Sequence, residues 1–67
     1  MTNPRPVREC LEATIANLTM VAQGFEYKAA RAPSDAMASY CTGRAEGFRE
    51  AIALLRSEFH QYLEPTP

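Results

Sequence analysis

Proline stands at positions 4, 6, 33, 65 and 67 and nowhere between, leaving two long proline-free stretches on either side of Pro33. A proline inside a helix removes a hydrogen bond and clashes with the preceding turn, and it drives the residue before it out of helical geometry. This punctuation therefore sets the outer limits of two elements and places one break between them. Alanine, leucine, glutamate and arginine dominate both stretches, and the valine-rich alternation of strands is absent. The chain reads as all-α, two helices joined by a tight turn.

The first helix is expected to run from about 6 to 31. Pro6 suits a first turn, whose N–H groups have no helical partner, and Lys28 and Arg31 complement the dipole in the last. Leu11, Ile15, Leu18, Ala22, Phe25 and Ala29 recur at spacings of three and four and define one apolar stripe, widened by Cys10, Thr14 and Val21. A turn is expected over 32–34. The second helix, about 35 to 63, is expected to be capped by the Ser34 hydroxyl, with Asp35 adding favourable charge. Its stripe is Met37, Cys41, Phe48, Ile52, Leu55, Phe59 and Leu63, with Arg44 or Ala45 filling the missing turn. Such helices would be roughly 37 and 43 Å long.

A 67-residue chain is one domain, and one this short buries a modest share of its surface. A lone antiparallel hairpin would leave Tyr40, Leu54 and Tyr62 in water as well as part of each stripe. Pairing two hairpins into a four-helix bundle relieves this, so a homodimer is expected, with Leu11, Ile15, Leu18, Phe25, Phe48, Ile52, Leu55 and Phe59 in the hairpin and dimer core.

Neither a disulfide nor a metal is expected to substitute for that partner. In a hairpin Cys10 and Cys41 lie about 15 residues out of register, some 22 Å along the axis, far beyond disulfide reach; both read as small core hydrophobes. His60 is the only histidine, and no C-x-x-C or H-x-x-x-H spacing supports zinc. It reads as a surface residue near the helix end. The chain carries no glycine-rich phosphate loop and no nucleophile with a base and an orienting group. An enzyme is not expected, and neither is a cofactor.

The net charge of −1 mixes both signs, as in Arg44-Ala45-Glu46 and Arg49-Glu50. Nucleic-acid modules draw their affinity from a basic face, so nucleic acid is a poor partner; a basic protein surface is a better one. No apolar run approaches the roughly 20 residues that span a bilayer, and Met1-Thr2-Asn3-Pro4-Arg5-Pro6 lacks the apolar core of a secretion signal. No membrane association and a cytoplasmic location are expected, with the cysteines reduced.

The second helix carries small residues at every fourth position: Ser39, Gly43, Gly47 and Ala51. Glycine costs about 1 kcal/mol relative to alanine inside a helix, so two of them a turn apart call for a reason. One is close packing within the hairpin, Gly24 lying beside Gly43 if position i faces about 66 − i. The other is a shallow groove for a partner. Tyr40, with Arg44 one turn on, is either a binding anchor or a boundary residue packed across the dimer. Glu46, Arg49 and Glu50 are helical neighbours on the polar side, a solvated face or, through Glu46 and Arg49, a contact for a basic partner. Arg31 either meets a partner carboxylate or caps its helix.

The proline-tipped N-terminus, the two helices and the segment Ser39-Tyr40-Cys41-Thr42-Gly43-Arg44-Ala45-Glu46-Gly47-Phe48-Arg49-Glu50-Ala51-Ile52 resemble bacteriophage proteins made early in infection. More narrowly, the chain resembles the Pseudomonas phage quorum-sensing anti-activator family, over most of its length and without a diagnostic motif. The resemblance implies a dimer of helical hairpins in the host bacterial cytoplasm. It implies binding to the DNA-binding domain of LasR, a LuxR-type transcription activator, and to PilB, the ATPase of type IV pilus assembly. Other expectations of different class are an anti-CRISPR or other anti-defence protein, a small structural or assembly module, and, against its charge, a minimal DNA-binding dimer.

Overall fold

A computed structural model describes residues 6–63. Helix α1 spans Val7–Ala30 and helix α2 spans Asp35–Glu58, followed by a single turn, α3, over His60–Leu63. There is no strand among the described residues. The two long helices pack antiparallel as a hairpin. Each has 24 residues, about 36 Å at 1.5 Å per residue.

The helix boundaries follow the local chemistry. Pro6 occupies the N-cap of α1 without a side-chain cap, which suits a residue that has no N–H of its own. Arg31 closes α1, its backbone N–H donating to the Lys28 carbonyl and that of Ala32 to the Ala29 carbonyl, and Pro33 follows. Ser34 caps α2 as the sequence indicates: its extended backbone turns the hydroxyl inward, and the Met37 N–H donates to its Oγ at 3.2 Å.

The far end differs from expectation. In place of one helix to residue 63, α2 stops at Phe59, where φ is −118° and ψ is 22°. The Tyr62 N–H then donates to the Phe59 carbonyl at 2.9 Å. The bend lays the Phe59 ring against Tyr62, centroids 6.3 Å apart, and leaves Leu63 half-buried in a groove with Ile15 and Ala16 of α1. Phe59, expected in the core, is 38 % exposed.

The core is thin. Ile15 and Ala22 of α1 face Cys41, Ala45 and Ile52 of α2, and these five are the buried apolar residues among those described. Leu11, Leu18 and Phe25, with Phe48 and Leu55, are half-buried along the same line. On both helices the spacing alternates threes and fours, the seam of a coiled coil. Ala45, not Arg44, fills the gap in the α2 stripe. Cys10, expected inside, is exposed; Cys41 is buried.

Ile52 is the largest fully buried α2 residue, so Ile52→Ala should cost about 2–4 kcal/mol. We expect thermal denaturation followed by circular dichroism to show most of the helical signal lost at 37 °C. A melting curve unchanged by the substitution would contradict the seam described here.

Candidate functional site

The two flanks of the hairpin differ in chemistry. On one, Arg49 of α2 grips Glu26 of α1: Nε donates to Oε2 at 3.1 Å and Nη2 to Oε1 at 2.8 Å. Spacing along α2 suggested Glu46 as the neighbour of Arg49, but the bidentate fit across the hairpin engages it instead. The hydrogen bonds from Arg49 hold the Glu26 carboxyl below its ordinary range; desolvation opposes this, and the attraction of the two charges adds to it. The same bonds raise Arg49. Arg49 is therefore already occupied, which weakens its claim as a partner contact.

On the other flank the rings of Phe25 and Phe48 stack with centroids 5.9 Å apart and planes 13° from parallel. Arg44 lies over both rings at 5.5 Å, and Lys28 lies over Phe25 at 5.3 Å. The guanidinium and the ammonium face the negative π-clouds while keeping contact with water. Arg44 is thus laid along the surface. Arg31, besides capping α1, sits 4.7 Å above the Tyr27 ring.

Phe25 faces Phe48, seven residues beyond the partner that simple counting from the turn assigns it. Side-chain direction contributes to this offset. Helical side chains lean toward their own N-terminus, so in an antiparallel pair Phe25 leans away from the turn and Phe48 leans toward it. Glu26 and Arg49 meet for the same reason.

The glycines do not make the tight crossing that was one of their two readings. A Cβ built on Gly24, Gly43 or Gly47 meets nothing within 4 Å. Only one stripe of α2 can face α1, and Cys41, Ala45 and Ile52 take it, leaving Gly43 and Gly47 nearly half a turn away. They line a shallow open groove of about 320 Å³ with Leu18, Arg44, Phe48 and Ala51. Tyr40 projects beyond the end of this groove and is 59 % exposed. Glu46 is exposed on the outer side of α2.

A larger open groove, about 700 Å³, lies at the far end between α1 and the bend, bordered by Glu12, Thr19, Arg56 and His60 over Ile15, Ala16 and Leu63. Glu12 is held there by Arg8 Nε at 2.7 Å. No group of three or more metal-ligating side chains occurs among the described residues, and no buried side-chain polar atom among them lacks a partner. No described helix is long and apolar enough to cross a membrane.

What the surface has in quantity is exposed apolar area. Val7, Met20, Val21, Tyr27, Met37, Tyr40, Leu54 and Tyr62 are all more than 40 % exposed. Sequence reasoning singled out Tyr40, Leu54 and Tyr62. It missed Met20 and Tyr27, which lie seven residues apart on the outer side of α1 and whose heptad spacing was the available signal. No protein-family model, curated protein or solved structure matches this chain.

The Glu26–Arg49 pair makes a pH-dependent contribution whose sign follows from the lowered Glu26 value. It favours the folded hairpin above the ordinary carboxylate range and is lost as the pH falls through the folded value. The melting temperature should therefore fall on acidification below about pH 4.5, and Glu26→Gln should flatten part of that fall while changing the neutral-pH value little, the pair being half exposed. An acid limb identical in the variant would remove the pair from the stability account.

Proposed function

We propose that this chain acts by binding another protein and does so as a homodimer of hairpins. The observation that carries this reading is the mismatch between a five-residue buried core and a surface on which eight large apolar side chains are more than 40 % exposed. So much exposed apolar area on so small a molecule favours a reading in which part of it is covered by a partner. The open grooves are too shallow to bury a small molecule, as ligand sites do.

Within that reading, the target class is the one that the resemblance implies: a phage-encoded inhibitor of a host regulator, acting in the bacterial cytoplasm. A LuxR-type activator such as LasR, masked over its basic DNA-reading surface, is the first target, and the pilus ATPase PilB is the second. The net charge of −1 supports a basic target surface. Glu46 is the residue we assign to that contact, being exposed. Tyr40, with Arg44 and Arg31 toward the turn, supplies a separate contact region. Arg49 supports the scaffold through Glu26.

A pull-down from Pseudomonas lysate, with purified LasR DNA-binding domain and PilB as direct probes, tests this. We expect capture of at least one, with Glu46→Ala weakening capture of the activator about tenfold and leaving helicity and sizing unchanged. Failure of both purified proteins to bind the wild-type chain would reject these targets. Equal affinity of Glu46→Ala and wild type would reject the residue assignment.

A further inference from the structure

Lys28 and Arg44 converge over the Phe25 ring on one flank of the hairpin, and we infer that this flank docks an acidic amphipathic helix of another protein. Its carboxylates meet the two cations and its apolar side chains meet the rings. The inference rests on the protein-binding reading above. It supplies the partner chemistry of the contact region given there to Tyr40 and Arg44, a chemistry opposite in sign to that assigned to Glu46.

The first observation is charge without a counter-charge. Lys28 Nζ lies 5.3 Å and Arg44 Cζ 5.5 Å from the centre of the same ring, and neither is in an ion pair among the described residues. The π-cloud gathers both cations, which repel each other, and an anion placed between them attracts both. The chain's own acids are elsewhere. Glu26 is taken by Arg49 on the opposite flank, Asp35 stands in the first turn of α2, and helical spacing turns Glu46 and Glu50 to the outer side. Glu58 shares the side of Arg44 but lies 14 residues further along the chain, about 21 Å away.

The second is the ground around the cations. Val21, Phe25 and Lys28 follow one line along α1, and Tyr40, Arg44 and Phe48 follow one line along α2. Val21 and Tyr40 are exposed, and Arg44 borders the open groove over Leu18, Phe48 and Ala51. A carboxylate bound here therefore has apolar surface on either side of it. The two lines wall a trough between the helices, the kind of seat that an amphipathic helix takes. The hairpin is one layer of helices, 15 Å in its thin direction, and a helix laid on this flank makes the second layer that stable domains have.

The third selects among anions. The chain as a whole carries a net charge of −1, so it offers an extended polyanion such as DNA or an anionic bilayer no long-range attraction, whereas this flank attracts a local one. A guanidinium presents two parallel N–H donors to a carboxylate, and the apolar walls match a protein segment in which acidic and apolar side chains alternate at helical spacing. The same flank of a second copy carries the same two cations and is repelled.

The test uses the full chain and a labelled helical peptide with glutamates at helical spacing beside a leucine stripe. Fluorescence anisotropy reads its affinity, and backbone amide NMR reads its seat. We expect saturable binding that shifts the amide signals of Phe25, Lys28, Arg44 and Phe48, and binding of the glutamine counterpart weaker by about tenfold or more. Lys28→Gln and Arg44→Gln should each weaken the glutamate peptide about tenfold, with the helical signal unchanged because both side chains are exposed. Arg56→Gln removes a cation that is also in no ion pair among the described residues but lies away from this flank, and should leave the affinity as it is. No binding, equal affinity for the glutamine counterpart, or an equal loss with Arg56→Gln would overturn the inference. Duplex DNA or phosphatidylglycerol vesicles bound more tightly than the peptide through the same two cations would overturn the protein occupant. If the purified targets named above bind and the peptide does not, this inference fails and those targets stand; the reverse result rejects those targets and supports the docking flank.

Discussion

Two helices can show each other only one stripe apiece, and the stripe that this hairpin uses is built from small residues. Ala22, Cys41 and Ala45 are buried at its centre, with Ile15 and Ile52 beyond them. Small side chains let the helices approach closely but remove little apolar area from water. At about 25 cal/mol per Å², three small and two large buried side chains, with Leu11, Leu18, Phe25, Phe48 and Leu55 half-buried beside them, make a thin core against the ordering of some 58 residues. Every other feature of the molecule follows from that shortfall: the aromatic stack beside the seam, the ion pair across it, and the large apolar side chains left outside.

The stack and the pair act as lateral clasps. Phe25 and Phe48 extend the seam on one flank, where Arg44 and Lys28 cover the rings without burying a charge. Glu26 and Arg49 bridge the other flank. Both clasps are partly exposed, so they set the register of the helices more than they deepen the core. The proposed partner contact and fold maintenance consequently fall to neighbouring residues of one helix. Arg49 is held by the scaffold, Glu46 one turn away points outward, and the line from Tyr40 to Leu54 lies on a third side of α2.

Much of this was legible in the residues. The prolines mark the turn, Ser34 is the cap its chemistry indicates, and the three-four spacing of Ile15, Ala22, Cys41 and Ile52 identifies the seam. What could not be read depends on geometry across the hairpin. Counting from the turn ignores the lean of side chains toward their own N-terminus, and so misplaces the partners of Phe25 and Arg49. The glycines carry no side chain whose polarity could reveal which way they face, so spacing alone left two readings for Gly43 and Gly47. Cys10 is as apolar as Cys41, but it stands in the first turn of α1 and is exposed. The same bend at Phe59 has no sequence signal, since His60, Gln61 and Tyr62 contain no helix breaker. Nothing in the residues of Glu46 or Tyr40 names a target; exposure shows only that they can be reached.

In the homodimer we propose, the hairpin is half of a core and is completed by a second copy. Its most direct test is the thermal midpoint of the wild-type chain measured over a wide range of protein concentration. Folding coupled to association makes the midpoint rise with concentration by mass action, and this account predicts that rise. A midpoint independent of concentration, with sharp two-state unfolding of a monomer, would mean that the five-residue seam suffices on its own and would contradict the account.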